Sequence, residues 1–173
     1  MINLRMATQN DISQISRLHA KNWQDIYRGM LSDKYLDNDI FEDRQAVWLQ
    51  RFETPENHQR ILVACENNTL CGFICIYINN HDKWGTLIEN LHICEYYKGQ
   101  GLGKKLLTAA TQIAYQHAPD NGLYLEVLAG NVDAQKFYQK LGAFNEKTQT
   151  WQAPDGSHVQ EFVYRWETIK EMC

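Results

Sequence analysis

The chain has no excess of positive charge. Its 17 Lys and Arg stand against 21 Asp and Glu, a formal net charge of −4. That argues against a general nucleic-acid binder, which needs a basic face for the phosphate backbone. No apolar run approaches the ~20 residues that a membrane-spanning helix needs. Residues 1–8 lack the apolar core of a secretory signal. A soluble cytoplasmic protein with no membrane partner is the expectation. Cysteine is odd in number, at Cys65, Cys71, Cys75, Cys94 and Cys173, with no C-x-x-C pair. Cys71 and Cys75, four apart in an apparent strand, are expected on one face of it, too far apart to bridge. Reduced thiols follow. The six histidines (19, 58, 81, 92, 117 and 158) show no H-x-x-x-H and no Cys/His pairing at ligand spacing. No metal is expected. Linkers, internal repeats and low-complexity segments are also missing.

What remains is ordinary globular material: 173 residues, 44% hydrophobic and 22% charged. That suits one domain over residues 1–173 with a substantial core. Alternation at Ile2, Leu4 and Met6 reads as a short strand. Asp11 is placed as the N-cap of a helix through Ile15, Leu18, Trp23 and Ile26, ended by Gly29. A second helix covers about 43–52. Strands follow at 61–65 and 70–78 around an Asn67-Asn68 turn, then a polar loop at 79–85 and a strand at 86–93. A helix at 102–114, a strand at 123–128 and a short helix opened by Asn131 and closed by Gly142 come next. Strands at about 143–151 and 159–166 finish the chain. The order βααβββαβαββ predicts an α/β fold on one mixed sheet.

The densest signal is Lys98-Gly99-Gln100-Gly101-Leu102-Gly103, where a strand turns into a helix. The first N–H groups of a helix lack internal partners, and its dipole favours an anion. Glycine lets a phosphate approach the backbone. The spacing is not that of a dinucleotide turn: Lys104 or Leu106 occupies the place of the third glycine. Nor is it a P-loop, since Lys98 replaces the first glycine and Lys105 the Ser/Thr that would hold Mg²⁺. A nucleotide-phosphate enzyme is correspondingly disfavoured. A loop without a ligand is the plain alternative.

A second segment bears on this choice. The run from Glu89-Asn90-Leu91-His92-Ile93 through the glycines to Leu107 resembles the acetyl-CoA-binding motif of the GCN5-related N-acetyltransferases (GNAT). Lys98 stands where that family usually has Gln or Arg. Leu123-Tyr124-Leu125-Glu126-Val127, then Asn131, Ala134, Phe137-Tyr138 and Leu141-Gly142-Ala143-Phe144, resembles the family's second segment, with Ala143 inserted. The resemblance implies the GNAT fold, with a mostly antiparallel twisted sheet flanked by helices and splayed, at a bulge, along the central acetyl-CoA-binding strand before the glycine turn. It implies acetyl-CoA as co-substrate and no metal. It also implies an N-acetyltransferase acting on a primary amine by direct attack in a ternary complex. A non-catalytic acyl-CoA-binding or sensing module on the same fold is the alternative.

Residue roles follow from the resemblance. Backbone groups of Leu91, His92 and Ile93 would hold the pantetheine arm as an added strand does, with the Ile93 N–H polarising the acetyl carbonyl. The pyrophosphate would lie on the N–H groups of Lys98, Gly99, Gln100, Gly101, Leu102 and Gly103. Lys104 and Lys105 are either phosphate partners or solvated helix lysines. Asn131 is a pantetheine partner, a helix cap, or both. Tyr138 is the acid for the CoA thiolate, a phenol of pKa ~10 against a thiol near ~8.5. Its alternative is a core aromatic beside Phe137. The base is Glu126, Glu89 or His92, in that order, or a water relay. A carboxyl within an apolar strand has reason for a raised pKa.

The acceptor side falls on the first two helices, by the same resemblance. Trp23, Tyr27, Arg28 and Tyr35 lie there among Asp25, Asp33, Asp37, Asp39, Glu42 and Asp43. Acids with aromatics suit a cationic amine, although a solvated helix surface gives the same pattern. A protein N-terminus or lysine, a polyamine, an aminoglycoside and a small amino compound all stay open. A homodimer is the fold-level expectation.

Overall fold

The computed structural model describes residues 1–172. Cys173, one of the expected reduced thiols, lies outside the described residues. Seven strands and four α-helices follow one another as β1 (Asn3–Met6), α1 (Ile12–Ile26), α2 (Ile40–Glu53), β2 (Gln59–Glu66), β3 (Thr69–His81), β4 (Gly85–Ile93), α3 (Leu102–His117), β5 (Leu123–Leu128), α4 (Val132–Lys140), β6 (Phe144–Gln152) and β7 (His158–Trp166). The strands form one sheet in the order β1-β2-β3-β4-β5-β7-β6. Every pair is antiparallel except β4–β5, which is parallel. The expected mixed, mostly antiparallel sheet with flanking helices is therefore observed.

Alternation along the strands sends side chains to two layers. Leu62, Ile74, Ile76 and Leu125 face α3, whose Leu106, Leu107, Ala110 and Ala114 recur at helical spacing. Val63, Phe73 and Cys75 face α1 and α2, where Ile15 and Trp48 cover them. Further along that second face, Trp23, Leu36 and Ile40 pack on Leu128.

Several local expectations change. The second helix begins at Ile40, well before 43, because a π-turn at Tyr35–Asp39 runs directly into it. The first helix ends at Ile26 with Tyr27 as its C-cap, short of Gly29. Asp11 does not cap that helix with its side chain. Its carboxylate turns back to Arg5 (2.7 and 2.8 Å) and the Thr8 N–H (2.8 Å). The polar loop is only the turn between His81 and Gly85. Cys71 and Cys75 lie on opposite faces. The cause is a bulge: Ala64 opposes Gly72 while Cys65 opposes Leu70, so Cys71 is an extra residue and the alternation resets.

A second bulge shapes the site. Cys75 opposes Asn90 while Ile76 opposes Ile88, leaving Glu89 unpaired on β4. Glu89 and Asn90 thereby reach the same face, where Arg51 of α2 bonds to both (2.8 and 2.7 Å). On its other edge β4 meets β5 at Thr86–Leu123, Leu87–Tyr124 and Ile88–Leu125 only. Backbone contact starts this pairing: Thr86 N–H donates to the Gly122 carbonyl (3.0 Å), and a Cβ on Gly85 would stand 2.3 Å from that oxygen. Beyond Ile88 and Leu125 the strands separate.

Candidate active site

The edge that β4 exposes is polar backbone. Cys94 N–H donates to the Cys71 carbonyl across the β3–β4 ladder (2.8 Å). Alternation then turns the N–H and C=O of Leu91 and Ile93 away from β3, into the gap, while those of His92 point back into the ladder. The Ile93 carbonyl already accepts from Asn22 Nδ2 (3.2 Å), leaving its N–H for the gap. His92 presents its ring instead, between Asn22, His19 and Phe73.

At the end of β4 the chain makes a short 3-10 turn, Glu95–Tyr97, and enters α3 through the glycines. Gly99 and Gly101 have φ of +71° and +79°, and a Cβ on either would meet nothing within 4 Å. Left-handed backbone, not crowding, calls for glycine here, and the space in front of it is open. Among the described residues no hydrogen bond uses the N–H of Gly99, Gln100, Gly101, Leu102 or Gly103 as donor. Lys98 departs from expectation: its N–H bonds to the Glu95 carbonyl (3.1 Å) and its ammonium to the Glu95 carboxylate (2.6 Å). The open N–H groups of the turn thus begin at Gly99. Lys104 stands on the first turn of α3 and makes no ion pair among the described residues.

The glycine turn, the free edge of β4 and α4 enclose a cleft of about 800 Å³. Asn131 caps α4, accepting from Ala134 N–H (3.3 Å), and lines the cleft, so its two expected roles are geometrically compatible. Phe137 closes the floor under Gly103, 3.4 Å from where a Cβ would be. Tyr138, the next residue, is buried against Phe137 and Trp166. Its hydroxyl bonds to no described residue. Burial, and secondarily Tyr27, raises its phenol above the ordinary value.

A smaller cavity of about 230 Å³ adjoins the cleft through the gap between β4 and β5. Tyr27, Leu91, His92, Asn131 and Tyr138 line both. Glu89, Glu126 and Glu161 line the smaller one, with Arg44, Trp23 and Trp151. Glu126 is exposed at the mouth, yet the protein around it raises its carboxyl, and the Glu89 charge adds to this against the Gln149 bond. Glu161 is buried, 6% exposed, and burial raises it too, with Glu126 and Glu89 contributing. Burial, followed by the charges of Arg44 and Lys98, holds His92 down to about 3. Burial, followed by Glu161, pushes Tyr27 up to about 12.

The structure therefore brings Tyr138, Glu126, Glu89, His92, Leu91, Ile93 and Asn131 around two connected spaces. The helix acids mostly stand elsewhere: Asp33 and Asp37 hold Arg28, and Asp43 takes the Tyr35 hydroxyl and Arg44. Glu161, Gln149 and Arg44 were not legible as site residues. One signal was present. In Val159, Glu161 and Val163 an acid occupies an inward register otherwise filled by valine. Among the described residues no group of three or more His, Cys, Asp or Glu stands in a metal-holding arrangement. No described helix is long and apolar enough to cross a membrane.

A parted strand pair that exposes backbone beside a glycine turn with open N–H groups is the arrangement that the resemblance to coenzyme A-dependent acyl-transfer enzymes implies. The chain belongs to the acetyltransferase (GNAT) family, whose model matches residues 20–143. It is thus an acetyltransferase, with acetyl-CoA as its co-substrate. Protein ElaA of Escherichia coli (strain K12) is 23% identical over 146 residues, 79% of this chain and 92% of that protein. The fold is shared with the PaiA N-acetyltransferase of Thermoplasma acidophilum, solved with coenzyme A (TM-score 0.67, 20% identity, 93% of this chain and 98% of that one). It is shared also with yncA of Salmonella typhimurium, solved with acetyl-CoA (TM-score 0.66, 15% identity, 96% and 94%).

Proposed function

We propose that the protein transfers the acetyl group to a primary amine by direct attack in a ternary complex, with Tyr138 serving the CoA sulfur. One observation carries this reading: Tyr138 is a buried residue whose hydroxyl bonds to no described residue, and it stands on the wall shared by the cofactor-sized cleft and the acidic cavity. Acetyl-CoA supplies an activated thioester. The chain's part is to hold and orient it, through the N–H groups of Gly99 to Gly103 and the free edge at Leu91 and Ile93, with Lys104 and Asn131 beside them. The Ile93 N–H is set to receive the carbonyl oxygen as negative charge develops there. Tyr138 keeps its proton at neutral pH and donates it, or a hydrogen bond, to the sulfur as the C–S bond breaks.

The amine arrives as an ammonium and must give up a proton before its lone pair can attack. Glu126 is the carboxylate we assign to receive it, because its raised pKa brings it nearer the working pH. Glu89 is committed to Arg51. His92, at about 3, holds a proton too weakly to accept one from an ammonium. The test is thiol release from acetyl-CoA in the presence of amines. Tyr138→Phe should lower kcat at least about tenfold without changing the apparent Kd for acetyl-CoA. Unchanged turnover would remove Tyr138 from the chemistry and favour a binding module.

A further inference from the structure

The charges around the small cavity do not cancel. Arg51 stands behind Glu89 at 2.8 Å, and Arg44 is held by Asp43 at 2.9 Å and stacked on the Trp23 ring at 4.3 Å. Each cation has its own carboxylate. Glu126 and Glu161 are left: among the described residues neither forms an ion pair, although Glu126 feels the charge of Lys147 on β6. Their shared partner is neutral: Gln149 Nε2 donates to Glu126 Oε1 at 3.0 Å and to Glu161 Oε1 at 2.8 Å. Three neighbouring strands make this arrangement. Glu126 of β5 opposes Val163 of β7, and Glu161 of β7 opposes Gln149 of β6, so all three side chains share one face.

A buried carboxylate without a cation is costly, so such a group is normally completed by something. Glu126 and Glu161 both line the small cavity, which adjoins the cleft, so their uncompensated charge faces a space that an occupant can enter. The reacting amine cannot complete the pair alone, because that nitrogen must become neutral to attack. A second nitrogen that stays protonated is needed as well. Tyr27 and Trp151 supply aromatic lining suited to one.

We propose that Glu161, bridged to Glu126 by Gln149, anchors a second ammonium group of the acceptor, so that the substrate is a small aliphatic diamine or a longer polyamine. This rests on the acetyltransferase reading above. Glu126 then faces the reacting nitrogen and Glu161 the distal one. The Gln149 amide nitrogen stands between two carboxylates, where an ammonium would sit.

The experiment compares acetylation of 1,4-diaminobutane, spermidine and butylamine by the full chain. In parallel, the Glu161 carboxyl is followed by carbon NMR as 1,4-diaminobutane is added. Diaminobutane should show a KM at least tenfold below that of butylamine. Glu161→Gln should raise the diamine KM at least tenfold more than the butylamine KM, with Glu161→Asp recovering part of the difference. Diaminobutane should also move the Glu161 titration to lower pH. Equal KM values for the diamine and monoamine, or a variant that raises both alike, would overturn the subsite. So would a Glu161 carboxyl indifferent to diamine in a protein that acetyl-CoA still protects from heat. Loss of protection by acetyl-CoA itself would instead overturn the acetyltransferase reading.

Discussion

Glu161 is where residue-scale energetics and function pull apart. Its folded carboxyl is raised, so the folded state holds the proton more tightly than the unfolded chain does. As pH climbs from the unfolded value near ~4.3 through the folded one, the unfolded chain binds fewer protons and stability falls. Glu161→Gln should therefore raise the melting temperature at pH 8 and change it little near pH 4, while weakening amine binding. A melting series across pH checks this, and a lower melting temperature at pH 8 would contradict it. Asp11 runs the other way. Its bond to Arg5 lowers its carboxyl, so its stabilisation is present above the unfolded pKa and lost as pH falls through the folded one. Asp11→Asn should destabilise at pH 7, with the deficit against the parent shrinking toward pH 2.

At the scale of elements, the cofactor site proposed above rests on two short pieces of backbone. Gly101 is the N-cap of α3 at φ +79°. Gly101→Ala should cost about 1–2 kcal/mol of stability from the left-handed conformation. It should weaken acetyl-CoA binding further by placing a methyl group in the cradle, which calorimetry would show as a raised Kd. Asn131→Ala removes the cap of α4 and should cost about 1 kcal/mol. These pieces were legible in the sequence because their chemistry is local: glycines after an apolar run, an Asn before a short amphipathic pattern. The order of strands and helices along the chain was legible for the same reason. The bulge at Cys71 was not, since a bulge is a mismatch between two strands and neither strand carries it alone; a bulge in the strand before the glycines is what the family resemblance implies, and only its position at Glu89 was hidden. Glu161 and Gln149 were hidden likewise. Each looks like one polar residue in an alternating strand, and only the β5–β7–β6 register brings them to Glu126.

At the scale of the molecule, a ligand that binds only the folded chain raises its apparent stability by mass action. Acetyl-CoA and CoA should raise the melting temperature, and ATP and NAD at equal concentration should not, because the glycine spacing suits neither. An equal rise with ATP would return the cradle to a generic phosphate site. The sheet itself has a seam. Three residue pairs are all that join β1–β4 to β5–β7 within it. Mechanically the seven strands are two panels sharing a short hinge, and a pantetheine arm lying along the open edge of β4 is the missing length of stitching. Cofactor binding should then slow amide exchange in both panels at once, at Ile88 and at Leu125 alike, on strands that touch the ligand and on strands that never do.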